Sequence, residues 1–191
     1  MVHRLVWILL IESWSAALVI SVGCTAFSME VNWNCKAFSE LTAAELYAIL
    51  RVRNEVFVVE QKIVFNDADG RDDKALHLIG YPADDKQSEG LPCAYCRIFP
   101  PGLVYSGATI GRVLVNGKFR RRGCGIALMK RAVDEVYKRF GGEQVAELGA
   151  QLYLKRFYED LGFYHDGSPI FKDGDDIDHI HMVKFPSEAK P

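Results

Sequence analysis

The stretch Lys118–Met129, "KFRRRGCGIALM", decides how the rest of the chain is read. Four basic residues run into Gly-x-Gly, and an apolar helical pattern follows at once. A helix start presents unpaired N–H groups and the positive end of the dipole. Glycines there let backbone approach a ligand that a Cβ would block, and phosphate binding is the natural use. A Walker loop needs Gly-Lys-Ser/Thr, which does not follow. A dinucleotide fingerprint needs a third glycine where Leu128 stands, and no strand leads directly into Gly123. What remains is an anion site of another kind, or a solvated basic loop that caps a helix.

Outward from this stretch, "TIGRVLV" (Thr109–Val115) is a β-rich run just before it. Beyond it, Ile126, Met129, Val133, Val136 and Phe140 recur at helical spacing, and "FGG" ends the helix. "QVAELGA" reads as a short strand, "LYLKRFYEDLGF" as a short helix with Gly162 as its C-terminal cap, and "IDHIHMVKF" alternates as a final strand. Upstream, "NWNCKAF" reads as a first strand. Thr42 with Glu45 forms a capping box for a helix whose face carries Leu46, Ile49, Leu50, Val56 and Phe57. "FNDADGRDDK" is a polar loop, and "LHLIGYP" and "CAYCRIF" are strands joined by a turn-rich segment. The order predicts an α/β fold with a mixed sheet.

The chain has 191 residues, enough for one domain with a real core. A net charge of −2 disfavours nucleic acid as the main partner. Five cysteines without regular spacing do not read as a disulfide framework. "CAYC" (Cys93–Cys96) lies in a strand-like run with no second pair, which favours ordinary reduced thiols over zinc or redox chemistry. An EF-hand fails too: with Gly70 as the turn glycine, Phe65 and Leu76 occupy ligand positions. No metal is expected.

Leu5–Phe27 is almost wholly apolar, with Glu12 as its one charge. Its length suits a bilayer span, and Arg4 could serve as a thin basic region of a signal peptide. The expected division is a hydrophobic extension over 1–28 and a domain over 29–191. The extension reads as a targeting segment or an upstream start. The resting location is expected to be cytoplasmic, with membrane anchoring through residues 5–27 as the alternative.

Arg120-x-x-Gly123-x-Gly125 after Val113-Leu114-Val115 resembles the coenzyme A signature of the GNAT acetyltransferases. Phe157-Tyr158-Glu159-Asp160-Leu161-Gly162-Phe163 resembles that superfamily's second motif, in the same order and at a matching separation. "LYAILRVRNEVFVVEQ", "DADGRDDKALHLIG", "YCRIF", "IGRVLV", "LGAQ" and "DHIHM" look like its ElaA-like branch, over about Val31 to Phe185. The resemblance implies the GNAT fold, a mostly antiparallel central sheet flanked by helices, with splayed strands holding coenzyme A. It also implies acetyl transfer from acetyl-CoA to a primary amine of a small molecule or peptide. The alternative is a coenzyme A-binding module without transferase activity.

The resemblance also implies site roles. Pantetheine would pair with backbone at Val113 and Val115, and the pyrophosphate would lie at Arg120, Arg121, Arg122, Gly123, Cys124 and Gly125. Tyr158 matches the family's general acid, although as a residue it also reads as a core aromatic. Glu60 resembles the family's acid after an apolar run. It is either the general base or a structural carboxylate. His77 and His179 match positions that would line the acceptor site, with a structural role as the alternative for each. His181 shares the strand face of His179. "DADGRDD" and "DGDDID" concentrate acid that either steers a cationic acceptor or is simply solvated. A homodimer stays open.

Overall fold

The computed structural model describes residues 29–84, 90–173 and 177–186. The apolar stretch Leu5–Phe27, and with it the division at residue 28, lies outside the described residues, as does the middle of "DGDDID". No helix among the described residues is long and apolar enough to cross a membrane.

The first strand, β1 (Val31–Ala37), leads to the capping box read from the sequence. Thr42 Oγ1 accepts from Glu45 N at 3.2 Å, and Glu45 Oε2 accepts from Thr42 N at 2.9 Å. Two orphan donors are thereby satisfied, and α1 (Ala43–Arg53) begins there. The helix then loosens into a π-helical stretch, Asn54–Glu60, closed by Gln61 N on Val56 O. Its buried face runs Ile49, Val52, Arg53 and Val56. The expected face had placed Leu46, Leu50 and Phe57 inward and contained no arginine.

Strands β2 (Leu76–Pro82), β3 (Ala94–Phe99) and β4 (Ala108–Val115) continue the sheet from β1 as an antiparallel meander. Helix α2 (Cys124–Phe140) crosses over to β5 (Ala146–Gln151), which lies parallel to β4. After the short α3 (Lys155–Asp160), β6 (Tyr164–His165) and β7 (Phe171–Lys172) both pair with β8 (Asp178–Lys184). The order across the sheet is β1-β2-β3-β4-β5-β8-β6, antiparallel everywhere except between β4 and β5.

Alternation along the strands divides the core. Cys96, Ile98, Ile110, Leu148 and Met182 face α2, while Ile79, Tyr95 and Leu114 face α1. On α2 the buried row is Leu128, Met129, Ala132, Val133 and Val136, and Ile126 stays 48% exposed. Cys93 and Cys96 are free, buried thiols on and beside β3.

Candidate active site

β4 and β5 pair only at Ala108–Ala146 and Thr109–Glu147, then part. A bulge contributes to the parting. Tyr95 faces Leu114 and Arg97 faces Gly111, so Cys96 lies opposite both Arg112 and Val113. A bulge leaves its extra residue unpaired and bends the strand. Arg112 sits there at φ 50°, a left-handed conformation that costs about 1–3 kcal/mol unless its surroundings impose it. Its side chain is held by Asp67 Oδ1 at 2.7 Å and lies over the Phe65 ring. The carboxyl half of β4, with Val113 and Val115, therefore edges an open gap.

The start of α2 faces the same end of β4. Gly123 is its N-cap at φ 78°, and no side chain caps the first turn. Gly125 lies against Val115 and Phe157, and a Cβ there would meet both at 3.6 Å, ordinary contact. Arg121 holds φ 61°, and the Arg122 guanidinium lies over Phe119.

Arg120 and Glu60, read from the sequence in separate roles, are brought together. Arg120 NH1 and NH2 donate to Glu60 Oε1 and Oε2 at 2.5 and 2.8 Å, and its Nε donates to Val115 O at 3.0 Å. All three guanidinium nitrogens of Arg120 are engaged by Glu60 and Val115, and both Glu60 oxygens are engaged. The pair ties the end of the π-helical stretch to the loop after β4. With the pair acting as this tie, Glu60→Gln and Arg120→Ala should each raise the KM for acetyl-CoA, the donor that the resemblance implies, roughly fivefold, a coupling near 1 kcal/mol. The double variant should be no worse than either single one. A loss of kcat in Glu60→Gln alone, with the acid limb of the pH–rate profile removed, would return Glu60 to the role of base.

Tyr158 is 5% exposed on α3, edge-on to Phe157 and Phe163. Its hydroxyl makes no hydrogen bond among the described residues. Burial pushes the phenol above the ordinary tyrosine range, with Cys96 and Tyr153 adding to the effect. Such a phenol keeps its proton at neutral pH, as an acid must.

The opposite face of the sheet departs most from the sequence reading. His77 is fully buried, with Nδ1 2.8 Å from Tyr95 Oη and Nε2 2.9 Å from Asp72 O. The carbonyl requires Nε2 to donate, so Nδ1 accepts, and neither edge of the ring is open to an acceptor. Burial lowers its pKa.

Three of the four "DADGRDD" carboxylates, Asp67, Asp69 and Asp72, are held by arginines, and Asp73 alone is exposed without such a partner among the described residues. Arg53, 0% exposed, donates to Asp67 Oδ2 and Asp72 Oδ1 at 2.7 Å each. Arg97 bonds Asp69 and Asp72, and Arg112 bonds Asp67. His179 is 7% exposed, stacked on Phe171, with Nδ1 2.9 Å from Ile177 O.

His181 opens onto a cavity of about 450 Å³ on the face away from α2. Its Nδ1 is 2.7 Å from Asp166 Oδ2 and its Nε2 is 2.9 Å from Glu147 Oε2. The Tyr105 ring lies 4.4 Å away, centroid to centroid. Sequence reading passed over Glu147, Asp166 and Tyr105. One signal existed: Glu147 is the single charge in "QVAELGA" apart from the core-facing pattern, and alternation puts it on the face of Gly149 and Gln151.

The family model of the GNAT acetyltransferase domain matches residues 99–185. The protein ElaA of Escherichia coli is 33% identical over 156 residues, which span 81% of this chain and 96% of that protein. The chain belongs to the ElaA-like GNAT acetyltransferases. Among solved structures, an acyl-CoA N-acyltransferase from Pseudomonas aeruginosa is similar with a TM-score of 0.73 and 33% identity, over 81% of this chain and 99% of that one. The crystal structure of E. coli ElaA gives 0.71 and 30%, over 81% and 99%. An aminoglycoside 6'-N-acetyltransferase complexed with coenzyme A shares the fold alone, with a TM-score of 0.56 and 15% identity over 80% of this chain and 96% of that one. This ElaA-like chain is an acyltransferase.

Proposed function

We propose that the protein moves an acetyl group from acetyl-CoA to a primary amine by direct transfer. The observation that carries this reading is the parting of β4 from β5 beside an uncapped helix start. The residues present suit acetyl-CoA. The edge of β4 that faces the gap offers backbone at Val113 and the N–H of Val115 to an amide-bearing pantetheine arm, while Arg120 holds the Val115 carbonyl. The first turn of α2, from Gly123 through Cys124 and Gly125, offers N–H groups to a pyrophosphate. Arg121 and Arg122 add positive field, and Arg120 acts by holding the loop in place. Bound there, acetyl-CoA supplies an activated thioester. The amine lone pair would form the N–C bond as the C–S bond breaks, the nitrogen's proton would leave to solvent water, and Tyr158 would give its proton to the sulfur and be reprotonated from solvent.

Calorimetric titration with acetyl-CoA, followed by turnover with a panel of amines, tests the reading. Arg121→Asn with Arg122→Gln removes two charges while Asn tolerates the left-handed backbone. That variant should weaken acetyl-CoA binding by about tenfold and flatten its salt dependence. An unchanged dissociation constant would remove the arginines from the site. Binding without turnover of any amine would favour the non-catalytic module.

A further inference from the structure

Glu147 closes the last pair before β4 and β5 part, so the cavity beside it lies at the closed end of the gap, on the face away from α2. Thr109 stands next to Glu147 in that pair, and its buried hydroxyl has no partner among the described residues.

Glu147 itself is fully engaged. Its Oε1 accepts from Ser106 Oγ at 2.9 Å and Gly107 N at 2.5 Å, and its Oε2 meets His181 Nε2 at 2.9 Å. It anchors the 105–107 segment and His181. His181 in turn fixes Asp166, whose other oxygen accepts from Ser168 N at 2.9 Å. Asp166 keeps 29% of its side chain exposed, so it is the carboxylate that a ligand can reach. Burial opposes its ionisation, but the hydrogen bonds from His181 and Ser168 hold its carboxyl at about 2. No lysine or arginine is among the described residues lining the cavity.

The Tyr105 phenol reports the field. Burial raises its pKa, and the carboxylates of Asp173, Glu147 and Asp166 raise it further. Its ring and that of Phe171 flank the exposed backbone of Gly149, where an added Cβ would lie 3.2 Å from Phe171 Cζ and 3.4 Å from Tyr105 Oη. Carboxylate and aromatic faces together are a surface for an organic cation. Gly149 is two residues along β5 from Glu147, about 7 Å at the rise of a strand. It leads toward the open part of the gap.

We propose that this cavity is a second-cation subsite of the acceptor. It holds a retained ammonium or guanidinium against Asp166, Tyr105 and Phe171 while the reacting amine, a short aliphatic chain away, lies in the gap. His181 and Glu147 are positioning residues. The inference rests on the N-acetyltransferase reading and names its substrate class as short-chain diamines and related dications.

The test compares diaminopentane with pentylamine, which differ in one terminal charge. With acetyl-CoA saturating, kcat/KM for the diamine should exceed that for the monoamine by about tenfold or more, and the excess should shrink with added salt. Asp166→Asn keeps an acceptor for Ser168 N and removes the charge. It should raise the diamine KM about tenfold and remove most of the diamine's kcat/KM advantage over pentylamine. Equal kcat/KM for the two amines, or a diamine KM indifferent to Asp166→Asn, would overturn the subsite while leaving the transferase standing. Calorimetric binding of diaminopentane to wild type without donor, lost in Asp166→Asn, would support the subsite even if no amine were turned over. That last result would overturn the transferase reading alone.

Discussion

Arg53→Met should destabilise the domain by about 3–5 kcal/mol in urea unfolding at neutral pH, the usual cost of removing one partner from a buried charge cluster. The reason is the company Arg53 keeps. Its guanidinium is wholly enclosed between α1 and β3, with NH2 also donating to Asp67 O at 2.8 Å. Removing it leaves Asp67 to Arg112 alone and Asp72 to Arg97 alone, with carboxylates only 7% and 12% exposed. A loss of that size is a large part of a typical domain's total stability. Asp73→Asn, a change on the exposed side of the same turn, should stay within about 0.5 kcal/mol. A cost below about 1 kcal/mol for Arg53→Met would show that the cluster does not hold the fold.

Acid should reach the same cluster. Burial opposes ionisation of Asp69, but hydrogen bonds from Arg97 and the charges of Arg97 and Arg112 hold its carboxyl at about 2. Asp72 is lowered as well, where Arg53 and Arg97 outweigh burial. A depressed folded value means that the contribution is complete above the unfolded carboxyl value, about 3.9, and is lost as pH falls toward the folded one. For Asp69 that window closes near pH 2. Urea midpoints should therefore hold down to about pH 4 and fall below it.

Tyr158→Phe should lower kcat by about a hundredfold or more, within the range for loss of a general acid. It should lower kcat/KM for acetyl-CoA in the same proportion, leaving the dissociation constant in place. Stability should barely change, because the ring keeps its contacts with Phe157 and Phe163 and the hydroxyl surrenders no hydrogen bond within the described residues. Unaltered turnover in a folded variant would make Tyr158 a core aromatic and no more.

The elements with a clean period were legible in the sequence. β2 runs Leu76–Pro82 as read, the Thr42–Glu45 capping box starts α1, and α2 ends at Phe140 before Gly141. The two-residue strands β6 and β7 are too short to show a period, and their pairing depends on β8. Arg53 escaped because a search for apolar spacing has no place for an inward arginine. Its burial depends on Asp67 and Asp72, fourteen and nineteen residues away. Arg120 and Glu60 are sixty residues apart, so neither could be assigned its partner from local sequence. The acidic turn read as either a steering surface or solvated carboxylates because counting charge in a loop says nothing about what lies beneath it.

The two acidic regions also differ in how freely they can be redesigned. The 67–72 turn supports the fold and, through Asp67 and Arg112, the bulge in β4, so altering it to change substrate choice would alter the cofactor gap as well. The walls contributed by Tyr105, Asp166 and Phe171 take no part in the ion pairs of those arginines among the described residues. With the proposed subsite there, acceptor preference can change by mutation or by selection without altering the 67–72 turn or the bulge in β4.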